Sequence, residues 1–188
     1  MAEATGKTAL RRTMRATRAA LVSARGSAAI DPPADFADLL RGVRTVAGYV
    51  ATGSEADPAP LLAAARRAGL TIALPHTVSR EEPIRFLVDD GTPLIAGPFG
   101  LIQPPHDAPE AAPDLVLVPL LAFDGALHRL GQGAGHYDRA LHGLRKALRI
   151  GVAFLGQRVD ALPVDSWDQP LDAVITEAGI VWREGTKS

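Results

Sequence analysis

Apolar runs of strand length recur along the chain, and segments with apolar residues at helical spacing separate them. The runs predict strands at 45–51, 70–75, 114–123, 149–155, 171–177 and 180–182. The runs at 70–75 and 114–123 are continuous, which is typical of strands covered on both faces, so we place them centrally. The alternation of strands and helices predicts an α/β fold built on a largely parallel sheet.

The first predicted helix spans about residues 7–24. Leu10, Met14, Thr17 and Leu21 recur at i, i+4, i+7 and i+11 and form an apolar stripe opposite the arginines, as in a helix docked on a core. An alternative interpretation is a transit peptide, because Glu3 is the one acidic residue before Ile30 and arginines are frequent. The stripe favours the docked helix.

Two further helices and a long irregular region follow. Asp57 as N-cap, Pro58 at the first helical position and Gly69 at the C-terminal cap predict a short helix. Leucines at helical spacing predict another helix from Tyr137 to Leu148. Residues 76–113 are rich in Pro and Gly around a small strand near 84–88, and loops of that length in a compact domain tend to be functional.

Composition narrows the class of protein. The chain has 188 residues, which suits one domain spanning 1–188, and 47% of them are hydrophobic. A net charge of -1 gives no indication of a nucleic-acid or membrane partner, and no apolar run is long enough to span a bilayer. Cysteine is absent, which excludes disulfides and thiolate metal sites. We expect a cytoplasmic monomer.

The segment HRLGQGAGHYDRAL, residues 128–141, carries the candidate chemistry. It matches neither the Walker pattern nor the dinucleotide-binding pattern. Glycines nevertheless let backbone amides approach an anion, Arg129 adds a fork of donors, and a helix start would follow. Asp138 suits the Mg²⁺ that accompanies nucleotide phosphates. A glycine-rich turn with Asp138 as a helix cap and Arg129 as a surface charge is an equally valid interpretation of the spacing.

A longer stretch resembles a known family. VPLLAFDGALHRLGQGAGHYDRAL is similar to the signature VPGxxFDxxGxRLGxGxGYYDxxL of the 5-formyltetrahydrofolate cyclo-ligases. Four other segments resemble that family's motifs in the same order: KTALR, YVATGSEAD, FGLIQPP and GVAFLGQRVDALPVDSWDQPLDAVITE. The resemblance therefore extends along almost the whole chain.

The resemblance implies a three-layer α/β/α fold similar to the sugar-phosphate isomerase and CoA-transferase-like fold. It implies an enzyme that uses ATP and Mg²⁺ to close 5-formyltetrahydrofolate to 5,10-methenyltetrahydrofolate, releasing ADP and phosphate. Phosphorylation of the formyl oxygen would create a leaving group, and N10 would then attack. Such phosphoryl transfer depends on positioning and charge neutralisation.

The resemblance also implies roles for individual residues. The expected catalytic residues are Lys7, Arg129 and Tyr137. The expected ATP-binding residues are Lys7, Arg11, Arg129, Leu130, Gly131, Gln132, Gly133, Ala134, Gly135, His136 and Tyr137. The expected substrate-binding residues are Val50, Glu55, Phe99, Gly133, Gly135 and Tyr137. The expected metal ligands are Asp138 and Asp168, directly or through water.

Each role has a simpler alternative. Lys7 and Arg11 could form a solvated helix face, Glu55 could cap the helix near Pro58, Asp168 could be a turn residue and Phe99 could belong to the core.

The chain also departs from the family pattern at four positions: Leu120, Ala134, His136 and Trp167. We expect a negative φ at Ala134, with its methyl group turned away from the phosphates. Two other classes of protein stay open: a non-catalytic folate- or nucleotide-binding relative, and a sugar-phosphate isomerase or CoA-transferase-like enzyme.

Overall fold

The computed structural model describes residues 2–79, 82–133, 135–144, 146–165 and 168–183, with side chains from Gly6 onward. Its α-helices are α1 (Ala2–Arg25), α2 (Phe36–Leu39), α3 (Ala59–Arg67) and α4 (His136–Gly143). Its strands are β1 (Thr45–Ala47), β2 (Thr71–His76), β3 (Arg85–Val88), β4 (Ile95–Ala96), β5 (Ile102–Gln103), β6 (Leu115–Pro119), β7 (Ala122–Phe123), β8 (Arg129–Leu130), β9 (Leu148–Val152), β10 (Ala173–Thr176) and β11 (Gly179–Trp182).

Seven strands form one mixed sheet in the order β11-β10-β9-β6-β1-β2-β3. The five inner strands are parallel, whereas β3 and β11 pair antiparallel at the edges. Val46 of β1 pairs with Ile72 on one side and Leu115 on the other. The predicted largely parallel sheet is confirmed.

Alternating side chains of the strands enter two apolar layers. Val46, Leu115 and Leu117 pack on the side of the sheet that α1, α2 and α3 cover. Their neighbours Ala47 and Val116 pack on the opposite side, where α4 contributes buried residues. Since side chains of a strand point alternately to its two faces, the sheet is covered on both, and the predicted three-layer architecture is confirmed.

Helix α3 shows both predicted end signals, with a shift at its start. Asp57 Oδ1 accepts a hydrogen bond from the amide of Ala59 at 2.9 Å, so Pro58 occupies the N-cap position instead of the first helical position. Gly69 follows the helix at φ 83°, the left-handed conformation that ends helices at glycine. Asp57 therefore satisfies a free amide of the first turn, as predicted.

The structure corrects three other boundaries or orientations. Strand β1 ends at Ala47 and not at Ala51. Helix α4 ends at Gly143, and Leu148 belongs to β9 because the sheet offers it a parallel partner in Leu115. The expectation that the arginines lie opposite the apolar stripe of α1 is wrong for Arg18, which is 4% exposed.

The region 76–113 contains a short hairpin, β4 and β5, as well as β3 near the predicted position. Gln103 of the hairpin exchanges two hydrogen bonds with the backbone of Thr77 at the end of β2, at 3.0 and 3.2 Å. The hairpin is thereby held beside the carboxyl end of β2. No helix within the described ranges is long and apolar enough to cross a membrane.

Candidate active site

A cavity of about 440 Å³ opens at the carboxyl ends of β1, β2 and β6. This edge of a parallel sheet is where α/β proteins bind ligands. The first turns of α1, the segment 129–138 and residues 165 and 168 complete the walls. The cavity therefore gathers residues from both ends of the chain.

The glycine-rich segment 131–135 links β8 to α4 and forms one wall of the cavity. Gly133 has φ 106° and Gly135 has φ 68°, so both positions favour glycine for conformational reasons. Gly135 is the N-cap of α4, and the free amides of the first helical turn follow it. Ala134 lies outside the described residues, and its expected negative φ stays a prediction.

Lys7 of α1 lines the cavity and contacts two aspartates. Its Nζ donates to Asp165 Oδ2 at 2.5 Å and to Asp168 Oδ2 at 3.2 Å. Burial lowers the pKa of Lys7, but the hydrogen bonds and charges of the two aspartates outweigh burial and raise it. Lys7 is therefore a fixed positive charge and not a solvated residue, and the alternative of a solvated helix face is wrong for it.

Arg11 and Arg15 connect α1 to the glycine-rich segment. Arg11 Nε donates to the carbonyl of Gly131 at 3.1 Å. A Cβ added at Gly133 would lie 3.4 Å from Arg11 Cζ, so the guanidinium lies directly against the segment. Arg15 donates to the side-chain and backbone oxygens of Gln132 at 3.0 and 3.3 Å. Helix α1 thus fixes this wall of the cavity.

Arg129 and Asp138 form an ion pair at the two ends of the glycine-rich segment. The Arg129 side chain is 5% exposed, and its second terminal nitrogen donates to the Gln169 carbonyl at 2.7 Å. Burial lowers the pKa of Arg129, and the charges of Asp138 and Asp168 oppose that shift. The surface-charge interpretation of Arg129 is therefore wrong.

Glu55 and Tyr137 provide further polar groups of the cavity. Glu55 Oε2 accepts from the amide and the hydroxyl of Thr52, both at 3.1 Å, and its Oε1 accepts from Gln132 Nε2 at 3.4 Å. Asp57 takes the capping role at α3 that Glu55 could have had.

The Tyr137 hydroxyl is buried and has no hydrogen-bond partner within the described part of the chain. Burial raises the pKa of Tyr137, and the Glu55 charge raises it further. Because an unpaired buried hydroxyl is costly, Tyr137 offers a donor that a ligand in the cavity could use.

A sequence model of the 5-formyltetrahydrofolate cyclo-ligase family matches residues 3–177. This chain belongs to that family. The 5-formyltetrahydrofolate cyclo-ligase of Escherichia coli K12 is 34% identical over 147 residues, which cover 74% of this chain and 80% of the relative. The cyclo-ligase of Mycolicibacterium smegmatis is 35% identical over 150 residues, covering 73% and 76%.

Two solved structures of 5,10-methenyltetrahydrofolate synthetases share the fold with this cyclo-ligase family member. The Aquifex aeolicus protein superposes with a TM-score of 0.75 at 25% identity and covers 97% of this chain and 95% of its own. The Mycoplasma pneumoniae protein superposes with a TM-score of 0.68 at 25% identity, covering 91% and 98%.

Most residues expected from the cyclo-ligase resemblance line the cavity together. They are Lys7, Arg11, Val50, Glu55, Arg129, Leu130, Gly131, Gln132, Gly133, Gly135, His136, Tyr137, Asp138 and Asp168. Phe99 does not line it: the side chain is 57% exposed, in a turn between β4 and β5 with φ 60°. The alternative that Phe99 belongs to the core is therefore wrong, and its role in binding the substrate stays a prediction.

Several residues of the site were missed from the sequence. Asp165 lies three residues before Asp168 and shares Lys7 with it, so a search for carboxylates near the predicted metal ligand would have found it. The apolar wall includes Ile84, Leu101 and Ile102 from the region 76–113. The length of that region indicated function, but its composition did not indicate which residues face the cavity.

Carboxylate oxygens are the donors that Mg²⁺ prefers, and three aspartates, Asp138, Asp165 and Asp168, line the cavity in addition to Glu55. No three His, Asp or Glu side chains in the described ranges are grouped closely enough to hold a metal ion. Asp165 and Asp168 both lie within 3.2 Å of one cation, Lys7 Nζ, whereas Asp138 is paired with buried Arg129. The first two therefore fit Mg²⁺ if a ligand supplies further oxygens.

Proposed function

We propose that this protein catalyses the ATP-dependent cyclisation of 5-formyltetrahydrofolate to 5,10-methenyltetrahydrofolate, the activity for which its family is named. One observation carries the proposal. A single cavity has three cations around a glycine-rich segment, and it also contains the Glu55 carboxylate and the Tyr137 hydroxyl, which has no hydrogen-bond partner in the described part of the chain. The cations suit a triphosphate, and the Glu55 and Tyr137 groups suit a polar heterocycle.

ATP would bind along the wall formed by α1 and the glycine-rich segment. Lys7, Arg11 and Arg129 supply positive charge there, and the lining residues 130–133 and 135–137 would supply backbone amides. Arg129 is buried and already held by two acceptors, so its guanidinium needs little reorganisation when a phosphate arrives. Positioning of this kind is the main requirement of phosphoryl transfer.

The folate would bind on the opposite side of the cavity, beside Glu55, Val50 and Tyr137. Glu55 is 8% exposed and can accept hydrogen bonds from a heterocycle, while the apolar residues of the hairpin offer a flat ring system a surface. Phe99 stays a prediction as a ring-binding residue. It lies in the turn of the hairpin whose strand residue Ile102 lines the cavity.

The reaction follows from this placement. The formyl oxygen attacks the γ-phosphorus and the bond to ADP breaks, which leaves a phosphorylated imidate on N5. N10 then attacks the formyl carbon, loses its proton, and the carbon–oxygen bond breaks as phosphate leaves. Lys7 and Arg129 offset the charge on the transferred group, and the Tyr137 hydroxyl can donate to an oxygen of the reacting formyl group.

We propose a change in the expected metal ligands. Asp165 and Asp168 would bind Mg²⁺ together with phosphate oxygens, and Lys7 would turn from them to the phosphates. Asp138 would hold Arg129 in place and would not bind the metal. Mg²⁺ would supply charge neutralisation of the triphosphate.

The test is the appearance of the methenyl product, followed by its absorbance, when the protein is mixed with 5-formyltetrahydrofolate, ATP and Mg²⁺. We expect product and an equal amount of ADP. Omission of ATP should abolish both, and product formed without ATP would favour the isomerase or transferase-like class. Binding of folate without product in the complete mixture would favour the non-catalytic relative.

We propose further that the protein acts as a monomer in the cytoplasm. The expected residues that line the cavity meet within the fold of a single chain, so a monomer can present them together. Light scattering after size-exclusion chromatography gives the mass in solution, and a mass near 19.7 kDa is expected.

A further inference from the structure

Arg18 is a buried cation that lies beside the cavity without lining it. Only 4% of the residue is exposed. Burial lowers the pKa of Arg18, and the charge of Glu55 opposes that shift. A guanidinium in such a position needs acceptors, because an uncompensated buried charge costs several kcal/mol by order of magnitude.

The contacts of Arg18 join three parts of the fold. Its Nη1 donates to the carbonyl of Leu120, in the turn after β6, at 3.3 Å. Its Nε donates to the hydroxyl of Ser54 at 3.3 Å. The same Nη1 lies 3.9 Å from Glu55 Oε1. Arg18 therefore connects α1 and the turn after β6 to the segment that carries Glu55.

Glu55 depends on this contact for the orientation of one carboxylate oxygen. Its Oε2 is held locally by Thr52, three residues away. Its Oε1 has a long hydrogen bond of 3.4 Å from the exposed residue Gln132 and the charge of Arg18 at 3.9 Å. Of these two partners, Arg18 is buried and donates to Ser54 and Leu120, whereas Gln132 is exposed and is held by Arg15 at the surface.

We propose that Arg18 is a positioning residue that holds Glu55, through its charge and through Ser54, in the orientation that binds the folate. The inference rests on the proposed function. Arg18 touches neither substrate, so its loss weakens folate binding, while the ATP wall made by Lys7, Arg11 and Arg129 is unchanged. A residue with only a structural role would affect both substrates alike.

The experiment compares Arg18→Met and Arg18→Lys with the parent enzyme and with Arg12→Met, a change at an exposed position of the same helix. Arg18→Met should raise the KM for 5-formyltetrahydrofolate tenfold or more and change the KM for ATP less than twofold. Arg18→Lys, which keeps the charge but loses the planar fork, should have an intermediate folate KM. Arg12→Met should match the parent. Equal increases in both KM values would overturn the proposal.

A double-mutant cycle keeps the test valid if Arg18→Met does not fold. When Arg18→Lys is introduced into a Glu55→Gln background, it should cause no further rise in the folate KM, because it acts through Glu55. The same fold increase in both backgrounds would contradict the proposal. If the parent enzyme forms no methenyl product, the proposed function fails first, and direct titration of folate binding to the same variants still tests the role of Arg18.

Discussion

Arg129 and Asp138 lie on either side of the glycine-rich segment and form an ion pair with each other. Arg129→Ala and Asp138→Asn should each reduce turnover at least tenfold, or about 1.4 kcal/mol of transition-state stabilisation. Arg129→Ala removes the charge, and Asp138→Asn removes the carboxylate that pairs with it. Turnover of the purified variants is measured with Lys146→Ala, at an exposed cation, as the control. Near-normal turnover in a folded variant would reject the role of that residue.

Gly133 and Gly131 give a matched pair of glycine positions in the same loop. Gly133→Ala should destabilise the protein by roughly 1–2 kcal/mol, because φ is 106° there and a left-handed conformation disfavours a side chain. Gly131→Ala should cost much less, since its φ is not in that range and no atom lies within 4 Å of an added Cβ. Denaturant unfolding of both variants measures the difference. Equal losses would show that the φ angle of Gly133 is not what requires glycine.

Helix α1 provides two cations, Lys7 and Arg11, that line the cavity. Deletion of residues 1–12 removes Lys7 and Arg11 and leaves the buried residues Met14 and Arg18. We expect loss of ATP-dependent activity with the sheet still folded, as judged by circular dichroism. A truncated protein with full activity would contradict the nucleotide role of α1 and would support the targeting interpretation of this segment.

The same helix shows what the sequence could and could not predict. Its extent was close to correct, because the spacing of apolar residues fixes which turns pack on a core. The orientation of Arg18 was missed because hydropathy treats arginine as polar, although the receiving surface offers it a carbonyl and a hydroxyl. Those acceptors, Leu120 and Ser54, come from distant segments, so no local pattern reveals them.

The site was predicted in a similarly uneven way. The five motifs singled out charged residues because the chemistry requires specific residue types, and these residues line one cavity, while their roles stay predictions. The role of Phe99 could not be judged from its motif, since exposure depends on how the hairpin β4–β5 folds onto β2. Asp165 was missed because the motif that singled out Asp168 does not specify the residue three positions before it, and the ion pair with Lys7 is visible only in the fold.

For the whole molecule, we expect both tyrosines of the chain to make the free energy of unfolding depend on pH in the alkaline range. Burial raises the pKa of Tyr49 and of Tyr137 above the ordinary value near 10, and the charge of Glu55 adds to the rise in each. The native state therefore keeps these protons longer than the unfolded state does. Stability should not depend on the tyrosines below pH 10 and should fall as the pH rises above it.

The ultraviolet absorbance of tyrosinate tests this expectation directly. The native protein should show no tyrosinate at the pH where the chain unfolded in guanidinium shows half, and tyrosinate should appear only with unfolding. The free energy of unfolding of Tyr137→Phe should decline less steeply above pH 10 than that of the parent. Ionisation of the native protein near pH 10 would contradict the burial of both hydroxyls.

The ion pair between Lys7 and Asp165 has a consequence for biosynthesis. Lys7 of α1 is synthesised before the aspartates that hold it, which follow 158 and 161 residues later in the chain. Until then, Lys7 lacks the two aspartates with which it pairs in the folded protein. The entropic cost of closing a loop rises only slowly with its length, by about 0.6 kcal/mol for each doubling. The complete set of residues that line the cavity exists only after Asp165 and Asp168 have been synthesised.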